Sequence, residues 1–269
     1  MPTVPLILTP DPYEPEARQV WIDALVVDEP VRLMLDTGAA SCTVPNTGHT
    51  AELNVVEADT GRGASGKTAG GDIVIVPAIS LGPIVVPNVR AARVEDSPDR
   101  LHALGVNVLS DSRCHLKFTS GLLEIDEEMP VDIDPLPLTT QPTGQPMVPV
   151  QFGSVSAAGC WDTGCSLTAV DAAFVDAHPE LFEIGAPLEG TDSVGHTVHG
   201  RSARMAGCTI GGVDFPPSQC MILDFSPVNA MADTPMDLGI GMPILALADW
   251  VFDFANGVWA VSRTAASMA

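Results

Sequence analysis

Residues 105–125 and 241–261 carry one pattern twice without a gap. Gly105 falls on Gly241, Leu109 on Leu245, Phe118 on Phe254 and Gly121 on Gly257, with apolar positions agreeing between them. Upstream, Leu33-Met-Leu-Asp-Thr-Gly-Ala-Ala-Ser-Cys-Thr-Val corresponds to Gly159-Cys-Trp-Asp-Thr-Gly-Cys-Ser-Leu-Thr-Ala-Val. Asp36 lies 69 residues before Gly105, and Asp162 lies 79 before Gly241. An internal repeat restricts a chain more than its composition does, because both copies must satisfy one architecture. The expected organisation is a first half over 1–128, an acidic, Pro-rich linker over 129–146 and a second half over 147–269. Between Glu127 and Pro146 the chain holds four acids and five prolines with little periodicity, as linkers do.

Gly and Pro number 24 each and are scattered as turns between short β-branched runs, which predicts an all-β fold. Strand candidates are Val20–Val27, Val31–Leu35, Asp72–Ile79, Ile84–Val94, Leu116–Ile125, Val148–Phe152, Ala203–Ile210 and Trp250–Val261. The only clear helical signal follows Asp171, a candidate N-cap, and stops at Pro179.

The formal charge of −22 rests on 34 acids and 12 bases, and only Lys67 and Lys117 are lysines. Nothing clusters these cations, so phosphate-neutralising nucleic-acid binding and anionic membrane surfaces are excluded as partners. No apolar run reaches the roughly 18 residues of a membrane span. The first ten residues lack a charged n-region and an adequate apolar h-region, which predicts a soluble, cytoplasmic protein. Six cysteines, none in C-x-x-C, are too few for a disulfide scaffold and lack the histidines a zinc site needs, so no metal or cofactor is expected.

Asp-Thr-Gly occurs at Asp36, Asp59 and Asp162. Asp59 follows no apolar strand and has no partner in the repeat, so it reads as a turn. Asp36 and Asp162 occupy equivalent points, each at the end of an apolar strand. With these features, and with Ala103-Leu-Gly105 and Gly239-Ile-Gly241 downstream, the chain resembles the aspartic proteases, more closely the retropepsin-like branch than the pepsin-like one. The resemblance runs from about Val20 to Val261. It implies two retropepsin-like closed β-barrel halves related by a pseudo-twofold, with one active site at their junction. Asp36 and Asp162 would form the catalytic dyad. Thr37 and Thr163 would lock the two loops through hydroxyl–backbone bonds, and Gly38 and Gly164 would let backbone N–H groups approach the carboxylates. Cys165, at the family's small-residue position, reads as a buried filler.

The chemistry of such a pair requires both copies. Two facing carboxylates cannot both ionise, so they hold one proton; the ionised member activates a water and the protonated member donates to the carbonyl.

Gly61-Arg-Gly-Ala-Ser-Gly-Lys-Thr68 also matches the phosphate-binding pattern G-x-x-x-x-G-K-[ST]. That motif needs a helix directly after it, whereas Ala69-Gly-Gly-Asp-Ile-Val-Ile-Val76 predicts a turn and a strand. The repeat places Gly66–Gly71 against Gly195–Gly200, where the family keeps its flap hairpins. Gly66, Lys67, Thr68, Gly195, His196 and Thr197 are therefore the candidate substrate-binding residues. His196 and His199 read as exposed loop histidines.

The expected activity is that of an aspartic endopeptidase, complete as a single chain, acting on peptide or protein substrates without a cofactor. The alternatives are a non-catalytic peptide-binding protein with the same fold and a nucleotide-binding protein using Gly61–Thr68. An isoelectric point near 4.2 places the working pH closer to neutral than to the acidity of secreted pepsins, where this chain would lose its charge.

Overall fold

The β-branched runs fold as strands of three sheets, in a computed structural model that describes residues 2–11, 14–63, 65–97, 100–126, 129 and 134–262. Among the described residues helices are short, the longest being Ala172–Ala177. None is long and apolar enough to cross a membrane.

The repeat is visible in the order of the strands. The first half aligns Arg18–Val26, Glu29–Asp36, Ala103–Gly105, Cys42–Pro45, Ile84–Val94, Thr68–Leu81 and Val55–Arg62 as neighbours. The second half follows the same order with Pro146–Phe152, Val155–Trp161, Leu238–Ile240, Thr168–Asp171, Ser218–Leu223, Thr197–Met205 and Phe182–Thr191. In each half the strand that ends at the Asp-Thr-Gly pairs in parallel with the short apolar-Gly strand, Asp36 opposite Gly105 and Trp161 opposite Ile240.

The third sheet is shared. Arg113–Lys117 pairs antiparallel with Asp249–Asp253, and the central rung joins His115 to Val251. These two residues are equivalents in the repeat, so the pseudo-twofold axis passes through their rung. The outer positions are filled by Thr3–Pro5 against Leu122–Ile125 and by Leu136–Pro137 against Val258–Ser262. Leu136–Pro137 thus mirrors Thr3–Pro5. Thr139–Thr140, which pairs with Pro146–Phe152, mirrors Ile7–Pro10 on Arg18–Val26. The segment that composition marks as linker therefore carries the opening strands of the second copy. The boundary drawn after residue 128 falls beside residues outside the described set.

Several local expectations are corrected. Asp59 is not in a turn: it lies within Val55–Arg62, opposite Gly71, because the first hairpin extends further than its polar sequence suggests. Leu116–Ile125 and Trp250–Val261 are each two strands folded back at Gly121 and Gly257. Ala203–Ile210 likewise divides between Thr197–Met205 and Cys208–Ile210. Asp171 stands at the N-cap position, but its carboxylate accepts the N–H of Phe225 at 3.1 Å and leaves the helix uncapped.

One apolar core runs through both halves. At its centre Trp161 is fully buried, with ring centroids 4.7 Å from Phe252, 5.7 Å from Trp250 and 6.2 Å from Phe118. Phe118 belongs to the first copy and Trp161 to the second, so the junction is packed as an interior. Each aromatic pair adds about 0.5–1.5 kcal/mol beyond area burial.

Candidate active site

Leu33, Met34 and Leu35 bury one Asp-Thr-Gly strand in the core, and Gly159, Cys160 and Trp161 do the same for the other. Both strands end at the axis, which brings the two loops into contact.

Thr37 and Thr163, each 1% exposed, interlock them reciprocally. The N–H of Thr37 donates to Thr163 Oγ1 and the N–H of Thr163 to Thr37 Oγ1, both at 3.1 Å. The Thr37 hydroxyl donates to the carbonyl of Trp161 at 2.8 Å, and that of Thr163 to the carbonyl of Leu35 at 2.7 Å. Equivalent residues of the two halves exchange equivalent bonds, so this knot also lies on the pseudo-twofold axis. The second crossing matches it: Val106 N–H donates to Ala39 O at 2.9 Å and Met242 N–H to Cys165 O at 3.0 Å.

Beside the knot the carboxyls of Asp36 and Asp162 face each other. The close approach depends on glycine. A Cβ on Gly38 would sit 2.4 Å from the carboxyl of Asp162, and one on Gly164 2.4 Å from Asp36 Oδ1.

The two carboxyls are not equivalent. Asp162 Oδ1 accepts the N–H groups of Gly164 at 2.8 Å and Gly38 at 3.2 Å, and its Oδ2 accepts the thiol of Cys165 at 3.1 Å. Asp36 Oδ1 accepts the Ala39 N–H at 2.9 Å. Burial, reinforced by the Asp162 charge, pushes Asp36 up to about 8. Cys165 is thus more than a filler. It is half-buried, and burial beside Asp162 raises its thiol well above the ordinary range, which keeps it a neutral donor.

The remaining candidate residues lie on two hairpins. Gly66, Lys67 and Thr68 occupy the turn and first rung between Val55–Arg62 and Thr68–Leu81. Gly195, His196 and Thr197 occupy the equivalent turn between Phe182–Thr191 and Thr197–Met205. The turn bonds are the same: Gly63 N–H to Lys67 O and Gly66 N–H to Gly63 O in one, Asp192 N–H to His196 O and Gly195 N–H to Asp192 O in the other. Gly61–Thr68 is therefore a hairpin followed by a strand, with no helix N-terminus to meet a phosphate. His199 is on a strand rather than in a loop, exposed, with its Nδ1 3.0 Å from Glu189 Oε1.

Three residues with no distinguishing sequence signal also reach this region. Gln145 Nε2 donates to the carbonyl of Gly38 at 3.2 Å, and Ser65 and Asp192 join the two hairpin tips.

Residues 22–108 match the family model of aspartyl proteases. No curated protein matches the chain in sequence. Among solved structures, the chain is similar to an aspartic proteinase from Irpex lacteus, with a TM-score of 0.61 and 14% identity over 100% of this chain and 98% of that one. It is also similar to conglutin gamma, a basic 7S globulin from lupine seeds, with a TM-score of 0.54 and 13% identity over 97% and 95% of the two chains. A proteinase and a seed globulin share this fold, so function has to be argued from the site.

Proposed function

We propose that this chain, which has the aspartic-protease fold and an aspartyl-protease first half, is an endopeptidase whose dyad is Asp36 and Asp162. The observation that carries this reading is the facing pair of unlike carboxyls, one raised by burial and the other held by three donors. The pair holds one proton between its two carboxyls. The ionised member takes a proton from a bound water as the water oxygen attacks the scissile carbonyl carbon, and the protonated member gives its proton to the carbonyl oxygen. The tetrahedral diol collapses when one hydroxyl returns a proton to the dyad and the amide nitrogen accepts another. The C–N bond then breaks, leaving an acid and an amine. No metal, cofactor or covalent intermediate takes part. An extended peptide lies between the dyad and the hairpins, held through its main chain.

Cleavage of a peptide library, read by mass spectrometry from pH 4 to 9, tests this. Internal cuts are expected, with activity persisting at neutral pH and falling as pH rises through about 8, where Asp36 loses its proton. A sharp optimum at or below pH 4 contradicts the near-neutral working pH, and binding without any cut favours a peptide-binding protein of the same fold.

Gly164→Ala supplies a second check. The new Cβ at 2.4 Å from Asp36 Oδ1 must displace that carboxyl, and kcat/KM should fall at least about 100-fold while the fold persists by circular dichroism. Unchanged kcat/KM would mean the carboxyl positions do not matter.

A further inference from the structure

The two hairpin tips are equivalent segments of the repeat, and they touch each other. Equivalent short segments of a twofold pair that touch each other meet near the axis, so the tips lie close to the line that also carries the dyad and the His115–Val251 rung. The hydrogen bonds between the tips converge on one carboxylate. Asp192, 6% exposed, accepts at Oδ1 the N–H groups of its own turn, Val194 at 3.2 Å and His196 at 2.8 Å. Its Oδ2 reaches across to Ser65 of the other half, accepting the N–H at 3.2 Å and the hydroxyl at 2.5 Å. Arg100 of the first half adds a bond from Nη1 to the Val194 carbonyl at 3.1 Å.

The clasp is asymmetric, unlike the threonine knot. The first-half equivalent of Asp192 is Gly63, which is buried, and a Cβ there would sit 2.2 Å from Asp192 Oδ2. One tip supplies the carboxylate and the other the vacancy that receives it. Two identical tips could not do this: two aspartates would repel and two glycines would offer no acceptor.

We infer that Asp192 is a specificity-determining residue, which fastens the hairpins into one closed arch across the dyad and so favours short peptides over long chains. This rests on the proposed endopeptidase reading. A short peptide enters from either open end of the arch. A long chain must be threaded, or wait for the clasp to release, and release breaks both cross-tip bonds at a buried carboxylate.

Asp192→Asn is the sharp test, because Asn has the same shape but offers one oxygen and one NH₂. With its oxygen on its own turn it presents an NH₂ to Ser65, so the Ser65 N–H loses its acceptor and only the hydroxyl, reversed to accept, can keep a bond. Amide hydrogen exchange at Ser65, Val194 and His196 should rise about 10-fold or more, with core strands unchanged. The ratio of kcat/KM for a long unfolded polypeptide to that for a six-residue peptide should rise about 10-fold. Ser65→Ala, which removes one cross-tip bond, should move both readouts the same way by less. Unaltered tip exchange in both variants overturns the clasp. Altered exchange with an unaltered substrate ratio overturns its role in selection. Exchange is read without turnover, so a chain that cuts no peptide at all defeats the endopeptidase reading and the selection with it, while the exchange result still decides the clasp.

Discussion

Asp36→Asn and Asp162→Asn should each lower peptide hydrolysis by at least about 1000-fold, the upper part of what positioned proton transfer contributes. Asparagine keeps the size of the side chain and its capacity to accept the surrounding N–H groups. It can neither take a proton from water nor share one with its partner. The two variants differ in stability. Asp36 is raised above its ordinary value of 3.8 to about 8, so between these pH values the folded chain holds a proton that the unfolded chain has released. Stability from this group therefore declines as pH rises through that window. Asp36→Asn removes the penalty: the variant should melt higher than wild type at pH 8, and the difference should shrink toward zero below about pH 4. Chemical denaturation at both pH values, with kcat/KM beside it, reads both effects. An active variant sinks the dyad; a variant no more stable at pH 8 sinks the raised Asp36.

The second large effect concerns the knot beneath the dyad. Thr163→Val conserves shape but deletes the hydroxyl that donates to Leu35 O and accepts from Thr37 N–H. Both groups are then left unpaired in a buried setting, at about 1–3 kcal/mol each, for a total of about 2–6 kcal/mol. For a chain of this size that corresponds to a fall of roughly 5–20 °C in Tm. Thr37→Val should cost a similar amount through Trp161 O and Thr163 N–H. Thr163→Ser, which restores the hydroxyl, should recover most of the loss. Urea unfolding checks the values, and a loss below 1 kcal/mol for both valine variants means the knot is not what joins the loops.

The duplication made the all-β, two-half fold legible, because each copy's strand order repeats the other's and apolar alternation survives in both. Strand ends were harder to read. Gly121 and Gly257 turn the chain back inside stretches that look continuously apolar, and the positive φ that marks them is a property of the backbone. The opening strands of the second copy were hidden by prolines, which composition assigns to a linker although edge strands tolerate them. At the site, repeat equivalence points to Asp36 and Asp162, since both lie where the pattern repeats. It is silent where the copies differ. Cys165 stands where the first copy has Ala39, and Asp192 where it has Gly63, so their bonds to Asp162 and Ser65 arise from divergence and leave no pattern to read.

The central claim is that one chain supplies both halves of one catalytic site. The most direct test is the specific activity of an equimolar mixture of Asp36→Asn and Asp162→Asn chains, beside wild type, on the same peptide library. Cleavage by wild type and none by the mixture is expected, because each chain closes its own dyad with one asparagine in it. Activity regained in the mixture would mean that the aspartates pair between chains, and would contradict that claim.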